Sequence, residues 1–531
     1  MSDNLLPKPD EYIKTAQKKY KIPDKKLLIR NDDFSSKSYC AFSDRSGCTI
    51  KNSKSKDYDI NLISSKQLSD EEYILTVNDD GISITASSDK GVIWAFVTLY
   101  QIIDRQHEVL YCHIHDNPKY PHRGLSIDCA RQFYPINTIM DIIEQMSLVK
   151  LNVLHWHLTD DQGWRIESTR YPKLHQQHGN EFYSHAEIID LIKFADTRGV
   201  EIIPEIDIPG HVSSLLAVYP QYSCTGKSVE LAQYGGIYPI VLCAGNESIY
   251  DFLDNLFDEI GPLFSSKRFH IGGDEAPKKE WEKCVLCQSR IKESNLLNET
   301  ELQGYFTNRV VDLLEKHGKK AICWVDSLMS DNVNPNISIQ HWYLQYPEMV
   351  SNFIETGGNV VYSDMFTLYF DYPHSMTPLR RVYKDEIRIA DKNYSDKSSL
   401  AGIEACIWSE HIFTEQRLEE LLFPRLYAVA EIAWSKELNY NDFCTRLRHF
   451  MMEFHNANMN YTKEELWDPV GKVRQNETFA YLGKMSAAMP PEIRKETLEN
   501  AKLGDLFHKR YTSSFFEIEE DAPILAQMNN S

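Results

Sequence analysis

The chain has 531 residues, 42% of them hydrophobic and 25% charged, with a formal net charge of -20. That length exceeds one ordinary core, the composition is that of a globular protein, and the excess of acid argues against nucleic acid as a partner. No window approaches roughly 18 consecutive apolar residues, which argues against a transmembrane helix, and the opening MSDNLLPKPDEYIKTAQKKYKIPD lacks the apolar centre of a secretory signal.

Residues 1–118 read as a small α+β unit. In YILTVNDDGISITASS two alternating runs flank Asp79-Asp80-Gly81, a hairpin signal, and DKGVIWAFVTLYQIID then carries apolar residues at helical spacing. An antiparallel sheet is expected there. Asn117-Pro118 punctuates the chain, and from 119 the rhythm changes. Eight apolar runs follow: RGLSIDCA, LNVLHWHLTD, VEIIPEIDIPG, RFHIGGDE, KAICWVDS, ISIQHWY, GNVVYSD and GIEACIWSE. Amphipathic stretches such as INTIMDIIEQMSLVK and HAEIIDLIKFADTRG separate the early ones, as crossover helices over a parallel sheet do. The reading is a (β/α)₈ barrel over 119–460, with a helical extension over 461–531 in which PPEIRKETLENAKLGDLF is the clearest helix.

Nearly every run ends in acids, aromatics or histidine: Asp160-Asp161, Asp207, Asp274-Glu275, Asp326, His341-Trp342, Asp364, Trp408 and Glu410. A barrel collects its functional groups at that end of its strands. Scattered acids alone would fit a solvated rim; tryptophans repeatedly placed beside them would not.

Read as the end of an extended strand, Asp274 and Glu275 would point to opposite faces and would be poorly placed as a facing nucleophile and acid. An alternative chemistry uses Glu275 as proton donor and the substrate's own 2-acetamido oxygen as nucleophile, with Asp274 accepting the acetamido N–H as positive charge develops. His155 and His157 alternate along one run and share a face, so a metal-dependent barrel hydrolase is a second reading. Cys284 and Cys287 form a CxxC for which the sequence shows no second ligand pair, so a disulfide or free thiols is expected and no metal. Eleven cysteines leave at least one outside any disulfide within the chain.

The motifs RGLSIDCARQFYP, LNVLHWHLTDDQGWRIE, PEIDIPGH, HIGGDE, YFD and WSE, in that order over about residues 119–435, resemble those of glycoside hydrolase family 20, the β-N-acetylhexosaminidases. The resemblance implies a cofactor-free, exo-acting, retaining, substrate-assisted glycosidase. It implies Glu275 as general acid and base, and Asp274 and Tyr369 as the residues holding the acetamido group. Arg131, Asp371 and Glu410 would bind sugar hydroxyls, Asp160 would support the site, and Trp324, Trp342 and Trp408 would form aromatic walls. Asp207 and His211 would form a supporting carboxylate–imidazole pair.

Burial beside Asp274 is expected to raise the pKa of Glu275 and give an acidic to mildly acidic optimum. The implied partners are amino-sugar glycosides (chitobiose, N-glycans or glycoconjugates), and a homodimer is compatible with the resemblance. Seven N-x-S/T sequons, at Asn246, Asn298, Asn336, Asn393, Asn460, Asn476 and Asn529, lean towards a lysosomal, vacuolar or secreted glycoprotein, with the cytoplasm as alternative. In a secreted chain Cys224 and Cys284, in loops after the third and fourth barrel runs, are expected to pair. A catalytically silent amino-sugar-binding protein is the reading of another class.

Overall fold

The computed structural model describes residues 4–54, 57–343, 347–384 and 400–488. The helix read at 490–507 and the sequons at Asn393 and Asn529 lie outside them.

Seven strands build the first sheet: β1 (Glu11–Lys21), β2 (Lys26–Arg30), β3 (Thr49–Asn52), β4 (Ile60–Ser64), β5 (Tyr73–Asn78), β6 (Gly81–Ala86) and β7 (Glu108–Asp116), in the spatial order β1-β7-β5-β6-β4-β2-β3. The hairpin falls where the turn signal put it, with Asn78 opposite Gly81. Gly81 has φ +108°, and a Cβ there would stand 3.0 Å from the Asp59 carbonyl oxygen. The sheet is mixed rather than antiparallel throughout, because β4 pairs parallel with β6 and β2 parallel with β3 and β4. Helical turns over Ser36–Ser46 carry the chain back between β2 and β3, the crossover a parallel pair needs.

All eight predicted runs become strands of one closed parallel barrel: β8 (His122–Asp128), β9 (Val153–His157), β10 (Glu201–Glu205), β11 (Arg268–His270), β12 (Lys320–Trp324), β13 (Ser338–His341), β14 (Asn359–Tyr362) and β15 (Leu400–Ile407). β15 closes the barrel on β8. Both faces of each strand are covered, so β8 and β9 are buried at every position, polar residues such as His122, Arg123, His155 and His157 included. The predicted crossover helices form over Ile136–Leu148 and His185–Asp196, the latter started by a capping box between Ser184 and Glu187.

The sheet unit docks on the barrel through buried polar pairs. Trp434, at the end of the barrel helix Arg425–Trp434, packs in the sheet unit's core and donates from Nε1 to Asp116 Oδ1 at 2.8 Å. Lys150 Nζ donates to the other Asp116 oxygen at 2.7 Å. A charge so buried needs such a partner, so this interface fixes one orientation. Among the described residues no helix is long and apolar enough to cross a membrane. The sequon residues Asn246 and Asn298 cap helices with their side chains, a structural use for Asn followed by Ser or Thr that is independent of glycans.

Candidate active site

The acid pair does not end a strand. β11 stops at His270, and Gly272 (φ +66°) and Gly273 (φ +97°) turn the chain before Asp274. A Cβ on Gly272 would lie 1.7 Å from Asp207 Oδ1, so only glycine fits against that carboxylate. The turn corrects the strand-based geometry: Asp274 and Glu275 line the same cavity instead of opposite faces. Glu275 itself has φ +49° and His211 φ +53°. Left-handed backbone at a non-glycine residue costs roughly 1–3 kcal/mol, and both strained residues face the cavity.

The cavity, about 120 Å³, opens at the C-terminal rim of the barrel. It collects eleven of the predicted residues: Arg131, Asp160, Asp207, His211, Asp274, Glu275, Trp324, Trp342, Tyr369, Trp408 and Glu410. Asp371, the twelfth, is outside the cavity lining but feels the charge of Glu410, and has a buried Oδ1 without a hydrogen-bond partner.

Arg131 is braced from two sides, Nη2 lying 2.8 Å from Asp160 Oδ2 and Nη1 3.3 Å from Asp128 Oδ2, while Glu410 Oε1 is 3.8 Å away. Its guanidinium lies over Trp408 at 5.2 Å. Burial alone would raise the pKa of Asp160; the Arg131 and His211 charges and the His157 hydrogen bond outweigh it and hold the carboxyl well below the usual range.

His211 bridges the two acid groups. Its Nδ1 faces Asp160 Oδ1 at 3.3 Å and Asp161 Oδ2 at 3.4 Å, and its Nε2 faces Glu275 Oε2 at 3.5 Å and Asp274 Oδ2 at 3.7 Å. Although burial disfavours the imidazolium, the surrounding carboxylates win and raise its pKa well above the ordinary value. Asp160 and Asp161 are the carboxylates beside Nδ1; Asp207, paired with His211 in the sequence reading, also has an oxygen within 4.8 Å of the ring, accepts from the Gly273 amide at 3.3 Å and crowds Asp274. Burial, and then the charges of Glu275 and Asp326, push Asp274 up to about 7 against the pull of His211. Its Oδ1 is buried without a hydrogen-bond partner. Burial and Glu410 push Asp371 up to about 8.

Trp324, Tyr369 and Trp408 stand around the cavity with centroids 5.8 Å (Trp324–Trp408) and 6.0 Å (Tyr369–Trp408) apart, and Trp342 stacks on Tyr369 at 6.3 Å. Two tryptophans are aimed by carboxylates: Trp324 Nε1 donates to Glu205 Oε1 at 3.0 Å and Trp342 Nε1 to Asp326 Oδ2 at 2.9 Å.

Beneath the cavity the barrel interior holds a layer the sequence reading did not assign. Glu205 takes Trp324, His270 (2.8 Å) and His155 (3.1 Å) on its oxygens together with a short contact from His157 Nδ1, while Glu404 is bound by His122, His155 and Gln340. His155 and His157 do share a face; His157 bonds carboxylates through both ring nitrogens, and His155 bonds Glu404 through Nδ1 with its Nε2 3.1 Å from Glu205. Glu205 was present in PEIDIPGH, but a single acid inside an apolar run carries no periodic signal. Cys224 and Cys284 do meet, as two members of a four-cysteine group with Cys243 and Cys287, so the sequence-based pairing is too simple.

A closed eight-stranded parallel barrel with its polar groups gathered at one rim is the architecture of a site-bearing (β/α)₈ protein. The family description "Glycosyl hydrolase family 20, catalytic domain" matches residues 120–437, and "Glycosyl hydrolase family 20, domain 2" matches 3–117. The chain belongs to glycosyl hydrolase family 20. Among characterised relatives, a beta-hexosaminidase of Porphyromonas gingivalis is 32% identical over 74% of this chain and 55% of its own length. One of Vibrio furnissii is 30% identical over 70% and 66%. The chain thus spans about half to two thirds of those two relatives. Of solved structures, the Vibrio harveyi exo beta-N-acetylglucosaminidase in complex with N-acetylglucosamine superposes with a TM-score of 0.78 at 28% identity, covering 87% of this chain and 79% of that one. The beta-N-acetylhexosaminidase of Bacteroides fragilis gives 0.78 at 28% identity, over 86% and 96%.

Proposed function

We propose that the protein is an exo-acting, retaining β-N-acetylhexosaminidase that releases terminal β-linked GlcNAc or GalNAc with the help of the substrate's own acetamido group. The observation that carries this reading is Asp274: in an aromatic-walled cavity it keeps a buried carboxylate oxygen without a hydrogen-bond partner, an acceptor matched to an N–H brought by a ligand. Both Asp274 and Glu275 approach the same nitrogen of His211, so they stand on one side of the cavity.

In the first step Glu275 gives its proton to the leaving glycosidic oxygen while the acetamido oxygen attacks the anomeric carbon, forming an oxazolinium ion. Asp274 takes the acetamido N–H and opposes its growing positive charge; the hydroxyl of Tyr369 donates to the acetamido oxygen and aims it. Water, deprotonated by Glu275, opens the ring, and two inversions give net retention. Trp324, Trp342 and Trp408 keep bulk water from the internal nucleophile. Arg131, with Asp371 and Glu410 behind it, would hold the sugar's outer hydroxyls and close the cavity at one terminal residue. The activities for which the Vibrio harveyi and Bacteroides fragilis proteins are named agree with this substrate class.

The test is release of GlcNAc from a β-linked GlcNAc disaccharide. The wild type is expected to cleave it and Glu275→Gln to lose roughly 10²–10⁴-fold in kcat. A wild type that binds GlcNAc without cleaving would replace this reading with that of a binding protein.

A further inference from the structure

We infer that Cys224, Cys243, Cys284 and Cys287 form a structural zinc site that fastens the loop after β10 to the segment following the acid pair. All four sulfurs lie within 4.8 Å of one another. Cys243 is 3.6 Å from Cys284 and 3.7 Å from Cys287, and Cys287 is 3.8 Å from Cys224. Zinc–thiolate bonds of about 2.3 Å in a tetrahedron set the sulfurs about 3.8 Å apart, the edge that follows from the bond length. Two disulfides would instead divide the four sulfurs into two pairs, whereas Cys243 and Cys287 are each equally close to two others.

The sequence offered only the CxxC, because the second pair is split over one long loop. Cys224 follows the helical turn Pro220–Tyr222, and Cys243 is brought beside it by a bridge between Ser223 and Leu242 and by donation from the Cys243 amide to the Tyr222 carbonyl at 2.8 Å. Cys284 precedes the helix Val285–Glu293 and Cys287 lies in its first turn. The two halves are pressed together, since a Cβ on Gly245 would lie 2.2 Å from the Leu286 carbonyl carbon. Cys243, Cys284 and Cys287 are buried and Cys224 partly so, leaving the tetrahedron no open position for a substrate. Four thiols bind one Zn²⁺ with release of four protons, and no redox change is required.

The fastened loop reaches the cavity. Gln162 Nε2 donates to the Tyr234 carbonyl at 2.6 Å, the Ala232 amide to the Asp161 carbonyl at 3.3 Å, and a Cβ on Gly235 would touch Glu410 Cγ at 2.9 Å. The zinc site therefore fixes one wall of the sugar site from behind, without touching substrate.

Elemental analysis of the untagged protein, purified without added metal, is expected to find about one zinc per chain. Mass spectrometry after denaturation in chelator and alkylating agent is expected to find all four cysteines alkylated. Cys284→Ser/Cys287→Ser is expected to lose the zinc and raise KM more than it lowers kcat, while Cys444→Ser, on another helix, keeps full occupancy. Two disulfides, read as four unmodified cysteines and no zinc in the wild type, would overturn the proposal, as would iron in place of zinc. The metal and thiol counts do not depend on activity, so they stand or fall apart from the glycosidase reading.

Discussion

Two pairs of carboxylates in the barrel, Glu205 and Glu404 in its interior and Asp274 and Asp371 at its rim, have opposite electrostatics. In the interior, Glu205 and Glu404 are buried, yet their histidine partners hold them below the ordinary carboxylate range, and each of their four oxygens has a partner. At the rim, Asp274 and Asp371 are pushed up to about 7 and about 8 by burial and neighbouring acids, and each keeps an unpartnered oxygen. The interior layer is completed by the fold; the rim layer is left incomplete for a ligand to finish. Burial follows the same division, since Glu205 and Glu404 are fully buried and Asp274 and Asp371 partly so, whereas Asp160 at the rim is paired and held low like the interior acids.

The comparison can be broken most forcefully from below. Glu205→Gln is expected to destabilise the fold by about 3–5 kcal/mol, because three imidazoles and an indole lose a buried charge. Urea unfolding at neutral pH checks it. A depressed folded-state pKa gives stability that is present above the unfolded value and lost as pH falls, so the deficit is expected to shrink on acidification.

At the rim the sign reverses. Asp371 binds its proton more tightly in the folded than in the unfolded state, so stability falls as pH rises from its unfolded value of 3.8 to about 8. Asp371→Asn is expected to raise Tm at pH 7.5 by a few degrees and to leave it unchanged near pH 4. An equal Tm at both pH values would show that Asp371 does not bear this penalty. The smallest effect is expected from Asp326→Asn, which keeps an acceptor for Trp342 but removes a charge that raises Asp274. The acidic limb of kcat/KM is then expected to move to lower pH, and a profile identical to wild type would detach Asp274 from that limb.

The barrel was legible because parallel strands covered on both faces are rich in apolar residues, so eight runs could be counted directly. Rim residues were legible for the same reason: a polar residue closing an apolar run is conspicuous, as with Asp160 and Asp207. Polar residues inside the runs were less so: Glu205, Glu404, His122 and His270 escaped assignment because their partners come from other strands, and His155 and His157 were noticed only as possible metal ligands. The turn at Gly272 and Gly273 was read as strand because two glycines do not reveal the sign of φ. The parallel half of the first sheet was missed since its crossover is built from short helical turns with weak periodicity, and the four-cysteine group because the fold brings together residues far apart in the chain.

The claim that the rim acids act on the substrate's own acetamido group is tested most directly by a series of aryl β-glycosides whose N-acetyl group carries none, one, two or three fluorines. Fluorine drains the carbonyl oxygen of nucleophilicity while leaving the leaving group unchanged. The account predicts that kcat falls steeply with each fluorine; a rate that stays level across the series would mean that a protein side chain or water attacks the anomeric carbon, and would contradict it.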